Sequence, residues 1–157
     1  MRILGIDPGT SLIGYGVIDF SGKTYRAIEF GDFKTAANLK TQDRAVTIYN
    51  FFDKLIKKAK PDKVALESLF FFKNAKTIIK VSEIRGILIL AAAKNSAEVS
   101  EFTPLQVKQA VSGYGRAEKA QVQKMVKMIL SLDAIPKPDD TADALAIAIC
   151  CANTVSY

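Results

Sequence analysis

The chain has 157 residues, 49% of them hydrophobic, which suffices for one well-buried core and leaves no room for two ordinary domains; we expect a single domain over residues 1–157. Its formal charge of +6 suits a polyanionic partner without requiring one. The count of zero histidines excludes Ser-His-Asp and Cys-His nucleophile pairs and His-ligated zinc, so any chemistry must use carboxylates, lysines, hydroxyls or metal-bound water.

The first predicted strand is the apolar run at residues 3–6, which ends in the lone carboxylate of Asp7 and a Pro8-Gly9 turn. A carboxylate at the end of a buried strand needs hydrogen-bond donors, a cationic partner or a metal ion, because desolvating it unpaired costs several kcal/mol. The alternative is that Asp7 only caps the turn, since Asp before Pro-Gly is common turn chemistry.

Residues 15–20 and 25–34 are two further predicted strands, joined by a hairpin turn at residues 21–23. Apolar residues recur at helical spacing from residue 41 to residue 60, and Pro61 ends that pattern. A short buried strand over residues 63–70 then places Glu67 near its end. Because a strand-helix-strand crossover favours parallel pairing, we expect Asp7 and Glu67 to lie side by side.

The helix predicted over residues 74–94 has an apolar face too broad for one sheet to bury, which indicates a second partner surface in this chain or in another copy. Lys73, Lys76 and Lys80 recur beside it at spacings of three and four. A strand at residues 98–102 follows, and Thr103-Pro104 is typical of a helix start, with Gly113 at its end. Another helix is predicted over residues 118–132.

The last predicted helix begins near Asp139 or Asp140, after the breaker run at residues 136–138. Asp140 and Asp143 are three residues apart and therefore project from one face of its first turn. For Asp140, capping of the helix is a strong alternative explanation. Asp143 lies among apolar residues, where that explanation is weaker. The adjacent Cys150 and Cys151 fit buried core thiols.

Four carboxylates thus lie at element ends that one sheet and one helix can bring together: Asp7, Glu67, Asp140 and Asp143. Clustered acids repel one another unless a divalent cation intervenes, and oxygen-only ligation suits Mg2+ or Mn2+. Two such ions can activate a water molecule and stabilise a leaving oxygen, which favours phosphodiester hydrolysis.

Four sequence blocks carry a resemblance that runs nearly end to end: Ile3-Leu4-Gly5-Ile6-Asp7-Pro8-Gly9-Thr10; Leu66-Glu67-Ser68-Leu69-Phe70 with Lys73-Asn74-Ala75; Gln106-Val107-Lys108 with Gly113, Gly115 and Ala117-Glu118-Lys119; and Asp140-Thr141-Ala142-Asp143-Ala144-Leu145-Ala146. In this order they resemble the RuvC family of bacterial Holliday-junction resolvases. The resemblance implies an α/β, ribonuclease H-like fold, a five-stranded mixed sheet flanked by helices.

The resemblance also implies an activity: Mg2+-dependent paired nicking of four-way DNA junctions by a homodimer, with two ions per site, for which Mn2+ can substitute. The metal-binding and catalytic acids would be Asp7, Glu67, Asp140 and Asp143, and Lys119 would assist catalysis. Predicted DNA contacts are Phe70, Lys73, Lys76, Lys80, Lys108, Tyr114, Arg116 and Lys119. At least one ring of the run Phe70-Phe71-Phe72 is expected in core or dimer packing. The expected partners further include the RuvA-RuvB branch-migration complex.

Two other classes stay open at the level of sequence. A strand ending in Asp-x-Gly-Thr also begins the actin and sugar-kinase ATP-binding proteins, although these need a second comparable domain. A junction-binding relative without strong cleavage activity would be expected to lack one or more acids, and all four are present. No stretch is long and apolar enough to span a bilayer, so we expect a cytoplasmic protein.

Overall fold

Five strands form one mixed sheet in the computed structural model, which describes residues 1–69 and 75–154. The sheet has the order β3-β2-β1-β4-β5. Its strands are β1 (Arg2–Pro8), β2 (Leu12–Ser21), β3 (Thr24–Lys34), β4 (Lys63–Glu67) and β5 (Glu98–Phe102). The first three pair antiparallel, whereas β4 pairs parallel with both β1 and β5. The predicted five-stranded mixed sheet is therefore confirmed.

Within the described residues, five helices flank the sheet: α1 (Thr41–Ala59), α2 (Ala75–Lys94), α3 (Pro104–Ser112), α4 (Lys119–Ile129) and α5 (Asp139–Thr154). The predicted start of α3 is confirmed by a capping box, in which Thr103 and Gln106 satisfy each other's backbone N–H groups. Gly113 ends that helix in the left-handed conformation, with φ of 72°.

Several predicted boundaries differ from the structure. The strand predicted over residues 15–20 begins three residues earlier, at Leu12, and ends at Ser21. The strand expected to reach residue 70 ends at Glu67, and residues 70–74 lie outside the described residues. The helix expected over residues 118–132 ends at Ile129, because Ser131 takes a positive φ of 50° that an α-helix cannot continue through.

Strand alternation divides the hydrophobic core between the two faces of the sheet. In β1, Leu4 and Ile6 pack with α1 and α2, while Ile3 packs with α3, α4 and α5. Successive side chains of a strand point to opposite faces, so Asp7 shares the face of Ile3. The same alternation in β4 puts Glu67 on the face of Ala65, which packs with α5. Both acids therefore face the α5 side.

Helix α5 lies directly on β1 and β2 because glycines leave room for its backbone. A β-carbon built on Gly5 would lie 2.1 Å from the carbonyl oxygen of Ala144, and one on Gly14 would lie 2.0 Å from that of Asp140. Real β-carbons do not approach so closely. The glycines thus set the distance at which the first turn of α5 meets the end of β1.

The buried residues of α5 include Cys150 and Cys151, both free thiols. Burial raises the pKa of Cys150 to about 12 and that of Cys151 to about 11, so both thiols stay protonated and act as small apolar groups. Within residues 1–69 and 75–154, none of the helices combines the length and apolar character that a membrane crossing demands.

Candidate active site

The carboxyl ends of β1 and β4 bring Asp7 and Glu67 together. The parallel register pairs Ile6 with Leu66, so the two acids follow the last paired residues of adjacent strands. Both side chains face α5, as the alternation requires. The predicted side-by-side arrangement of Asp7 and Glu67 is confirmed.

The first turn of α5 supplies two more carboxylates. Asp140 Oδ1 would lie 3.7 Å from a β-carbon on Gly9, so this carboxylate is beside the turn that follows Asp7. Asp143 is one turn further along the helix, and its side chain is 31% exposed. The four predicted acids are therefore contributed by three elements that meet at one edge of the sheet.

The pKa values of the acids report how strongly they interact. Burial, followed by repulsion from Asp143, Glu67 and Asp140 in that order, raises the pKa of Asp7 to about 8. Burial also raises the pKa of Glu67, with repulsion from Asp143 as the next cause. The pKa of Asp143 is raised by burial despite its contact with Lys119. Without a cation, this arrangement disfavours full ionisation.

A cavity of about 210 Å3 opens beside the acids, and two lysines line it. Its polar lining consists of Glu67, Asp143, Lys108 and Lys119, and apolar residues of α3, α4 and α5 complete the wall. Lys108 is close enough to Glu67 to favour its charged form, which lowers the pKa of that acid against the effect of burial. Carboxylate and ammonium groups therefore lie together in the wall of this cavity.

Lys119, the first residue of α4, forms ion pairs with α5. Its Nζ lies 2.9 Å from Asp143 Oδ2 and 3.6 Å from Asp139 Oδ2. Burial lowers the pKa of Lys119, but the contacts with Asp143 and Asp139 outweigh it and the net pKa is raised. The lysine therefore stays protonated at the site.

The donor chemistry of the four acids fits a divalent hard cation. Carboxylate oxygens are the ligands that Mg2+ and Mn2+ prefer, and a cation at the acids would relieve the repulsion that raises the pKa of Asp7. In the described part of the chain, however, no three acidic or thiol side chains converge closely enough to form a ready-made metal cluster. Asp143 is instead engaged by Lys119 at 2.9 Å, and like charges disfavour a closer approach of the acids.

Other predicted DNA contacts lie on exposed surfaces. Tyr114 is 56% exposed on the turn between α3 and α4, and Arg116 is exposed next to it. Lys80 is exposed on α2 and lines a groove of about 550 Å3 between α1 and α2. Phe70 and Lys73 lie outside the described residues. The side chain of Lys76 is likewise outside them, although its backbone belongs to α2.

Two charged residues near the acids were missed by the sequence prediction. Asp139 pairs with Lys137 at 2.8 Å as well as with Lys119, and its pKa is lowered first by the Lys137 contact. Arg85 is buried at 6% exposure and contacts the backbone of Glu67. The sequence feature that could have pointed to Arg85 is a single positively charged residue within the apolar face of α2, one residue after Ile84 and three before Leu88.

Comparisons with known proteins agree with this geometry. The family model for crossover junction endodeoxyribonuclease RuvC matches residues 3–151. The crossover junction endodeoxyribonuclease RuvC of Ruminiclostridium cellulolyticum is 54% identical over 98% of this chain and 93% of its own length.

Two solved structures of Thermus thermophilus RuvC are similar to this chain. One, in complex with Holliday junction substrate, has a TM-score of 0.95 and 33% identity and covers 99% of this chain and 95% of that chain. The other has a TM-score of 0.89 and 35% identity and covers 96% of this chain and 92% of that one. Full-length similarity in sequence and fold leads to one conclusion: this chain belongs to the RuvC family of crossover junction endodeoxyribonucleases.

Proposed function

We propose that this chain resolves four-way (Holliday) DNA junctions in recombination and repair by paired, symmetric nicking of phosphodiester bonds. The observation that carries the proposal is the meeting of four acids from β1, β4 and α5 beside a cavity lined by Lys108 and Lys119. The 33%-identical Thermus protein bound to a Holliday junction supports the choice of substrate. The presence of all four acids weighs against a relative that only binds junctions.

Asp7, Glu67, Asp140 and Asp143 would hold Mg2+, two ions per site, and Mn2+ would substitute for it. Bound there, the ions would supply an activated water and charge stabilisation for the phosphodiester. Asp7 is the central residue of the set, because its pKa responds to all three other acids. A single neutral substitution at Asp7 should therefore affect the whole group.

Two lysines, Lys108 and Lys119, would hold the scissile phosphate. Lys119 keeps its proton, because Asp143 and Asp139 raise its pKa, and can donate N–H groups to a phosphate oxygen from the rim of the cavity. Lys108 lines the same cavity from α3. We assign these two lysines to orienting the phosphate and to stabilising the negative charge that builds up on it during cleavage.

The remaining DNA contacts form a broader surface in this proposal. Arg116 and Tyr114 lie on the exposed turn next to Lys119, where a backbone phosphate and an unpaired base could be met. Phe70 is proposed from the family resemblance as a contact near the junction centre, and Lys73, Lys76 and Lys80 are proposed as further DNA contacts from their spacing of three and four residues.

A homodimer is proposed because a four-way junction offers two equivalent strands to cut, while each chain carries one set of acids. Helix α2 supports this, since Ile79 is 60% and Leu90 is 52% exposed. Gly86 lies between them and has open space around its α-carbon, which would let a second helix approach closely. We therefore place the two-fold interface on the exposed apolar side of α2.

A gel assay tests the proposed activity. Labelled four-way junction, linear duplex and single strand of the same sequence are each incubated with the protein, with Mg2+ or with a chelator. Cleavage of the junction alone, dependent on Mg2+ and paired on opposite strands, is expected. Equal cutting of linear duplex would refute junction selectivity, even with the nuclease activity intact.

The family resemblance also leads us to propose contact with the RuvA-RuvB branch-migration complex in the cytoplasm. The test is cleavage of a junction preloaded with the purified complex. Faster or redirected cleavage is expected if contact occurs. Inhibition equal to that caused by an unrelated junction-binding protein would indicate simple competition for DNA.

A further inference from the structure

Arg85 is a buried cation whose contacts lie at the ends of two strands. The residue is 6% exposed, and its guanidinium donates through Nη1 to the backbone carbonyl of Glu67. Its Nη2 lies 2.8 Å from Glu101 Oε2 on β5. One side chain from α2 thus joins the end of the strand that carries Glu67 to the strand beside it.

The backbone carbonyl of Glu67 needs a donor because the ladder between β1 and β4 ends just before it. The last paired residues are Ile6 and Leu66. Further along β1 comes Pro8, which has no N–H to continue the pairing. A carbonyl that is shielded from water and left without a donor destabilises the folded protein. Arg85 fills this gap, which the Asp7-Pro8-Gly9 turn itself creates.

The Arg85 side chain approaches Glu67 from the face of the sheet opposite to the cavity. Arg85 belongs to α2, which packs with the Leu4 and Ile6 side of the sheet, whereas the Glu67 carboxylate faces α5. The guanidinium therefore fixes the backbone of Glu67 without occupying the space in which a cation or phosphate would bind.

We propose that Arg85 is a positioning residue for junction cleavage, which holds the backbone of Glu67 so that its carboxylate is aimed at the metal site. This inference rests on the proposed function, because it takes Glu67 as a metal ligand. It adds a residue from α2 to the support of a set of acids that come from β1, β4 and α5. Outer residues that orient metal ligands typically contribute about 10–100-fold to affinity or activity.

The experiment compares Arg85→Lys with Arg2→Lys. Arg2 likewise contacts one backbone carbonyl and one carboxylate, at the opposite end of the sheet. Its Nη1 lies 2.9 Å from the carbonyl oxygen of Ala59, and its Nε lies 2.7 Å from Asp19 Oδ1. Four quantities are measured: the single-turnover rate on a four-way junction with Mg2+, Mn2+ binding to DNA-free protein by electron paramagnetic resonance, junction binding in chelator, and the melting temperature. Glu67→Gln is assayed alongside as the metal-site reference.

Arg85→Lys is expected to lower the cleavage rate and Mn2+ affinity by about 10–100-fold while junction binding in chelator stays within about twofold of wild type. Arg2→Lys should lower the melting temperature without moving either quantity. Glu101→Gln, which keeps the Glu67 contact but loosens the guanidinium, should show a smaller fall and serves where Arg85→Lys does not fold. Wild-type cleavage and Mn2+ binding in every folded variant would overturn the proposal. Wild-type cleavage by Glu67→Gln would instead overturn the metal assignment on which it rests.

Discussion

Lys119 Nζ lies 2.9 Å from Asp143 Oδ2, so the ammonium group of one proposed catalytic residue already neutralises a proposed metal ligand. A divalent cation at Asp143 would compete with that ion pair, because both cations use the same carboxylate. Release of Lys119 would leave its ammonium group free to face a phosphate. Metal binding and the positioning of Lys119 are therefore coupled through Asp143.

Lys119→Ala should slow cleavage of bound junction by about 100- to 1,000-fold, the range seen when one donor to a developing negative charge is removed. Because Asp143 is no longer shared, Mn2+ should bind the DNA-free variant at least as tightly as wild type. The measurements are the single-turnover rate at saturating protein and a Mn2+ titration. Lys124→Ala, exposed on the same helix, is the charge-matched control. An unchanged rate in Lys119→Ala would restrict Lys119 to binding.

The antiparallel pairing of the first three strands and the adjacency of Asp7 and Glu67 could be predicted from sequence, because a crossover helix favours parallel pairing of β1 and β4. The place of β5 beside β4 was not predicted. The role of Arg85 could not be predicted either, since periodicity predicts that a position is buried but not which carbonyl it will meet. The place of α5 also required the structure, because it depends on backbone contacts at glycines on two different strands.

Gly14→Ala should destabilise the protein by about 1–3 kcal/mol and reduce cleavage, since overpacking costs that much and the new β-carbon meets the backbone at Asp140. Gly31→Ala is the matched control. Its β-carbon would lie 3.1 Å from the hydroxyl of Tyr15, a side-chain end that can move. Chemical denaturation and the junction assay measure the two effects. Equal stability and activity of both variants would contradict the close packing of α5 on β1 and β2.

Leu90→Glu should convert the proposed dimer to a monomer, because it places like charges near the two-fold axis on α2. Light scattering at micromolar concentration measures the mass, and the junction assay should show single nicks in place of paired ones. Ile28→Glu makes a similar change at an exposed residue of the edge strand β3 and should leave the mass unchanged. A wild-type protein that is monomeric alone and on the junction would contradict the dimer.

Lys108→Ala and Arg116→Ala should each weaken junction binding and reduce the slope of log affinity against log salt by about one, as expected for loss of one phosphate contact. Binding is measured in chelator over a range of salt concentrations. Lys57→Ala removes the same charge from α1, where the lysine pairs with Asp53 at 2.7 Å, and should leave the slope unchanged. Equal slopes for all three variants would assign Lys108 and Arg116 to ordinary solvated surface.

Asp7→Asn should make the stability of the metal-free protein less dependent on pH. The folded protein holds a proton on Asp7 up to about pH 8, whereas an unfolded chain releases it near the ordinary value of 3.8. The folded state therefore binds more protons across this window, and the free energy of unfolding of metal-free wild type falls as pH rises through it. Asp7→Asn has no such proton to lose. In chelator, its melting temperature should exceed that of wild type at about pH 9 and match it at about pH 4.

The same substitution should reduce cleavage by orders of magnitude while junction binding stays intact or tightens slightly, because it removes negative charge beside the DNA but no basic residue. Added Mg2+ should raise the melting temperature of wild type at about pH 9 and leave that of Asp7→Asn nearly unchanged, since bound ligand stabilises only a state that binds it.

The same loss of cleavage is expected for Glu67→Gln, Asp140→Asn and Asp143→Asn. Among them, Asp140→Asn should keep the most activity at high Mn2+, because water most easily replaces a ligand at a helix start. Near wild-type cutting by Asp7→Asn would refute the metal-site assignment, and an unfolded Asp7→Asn would identify Asp7 as a structural cap of its turn.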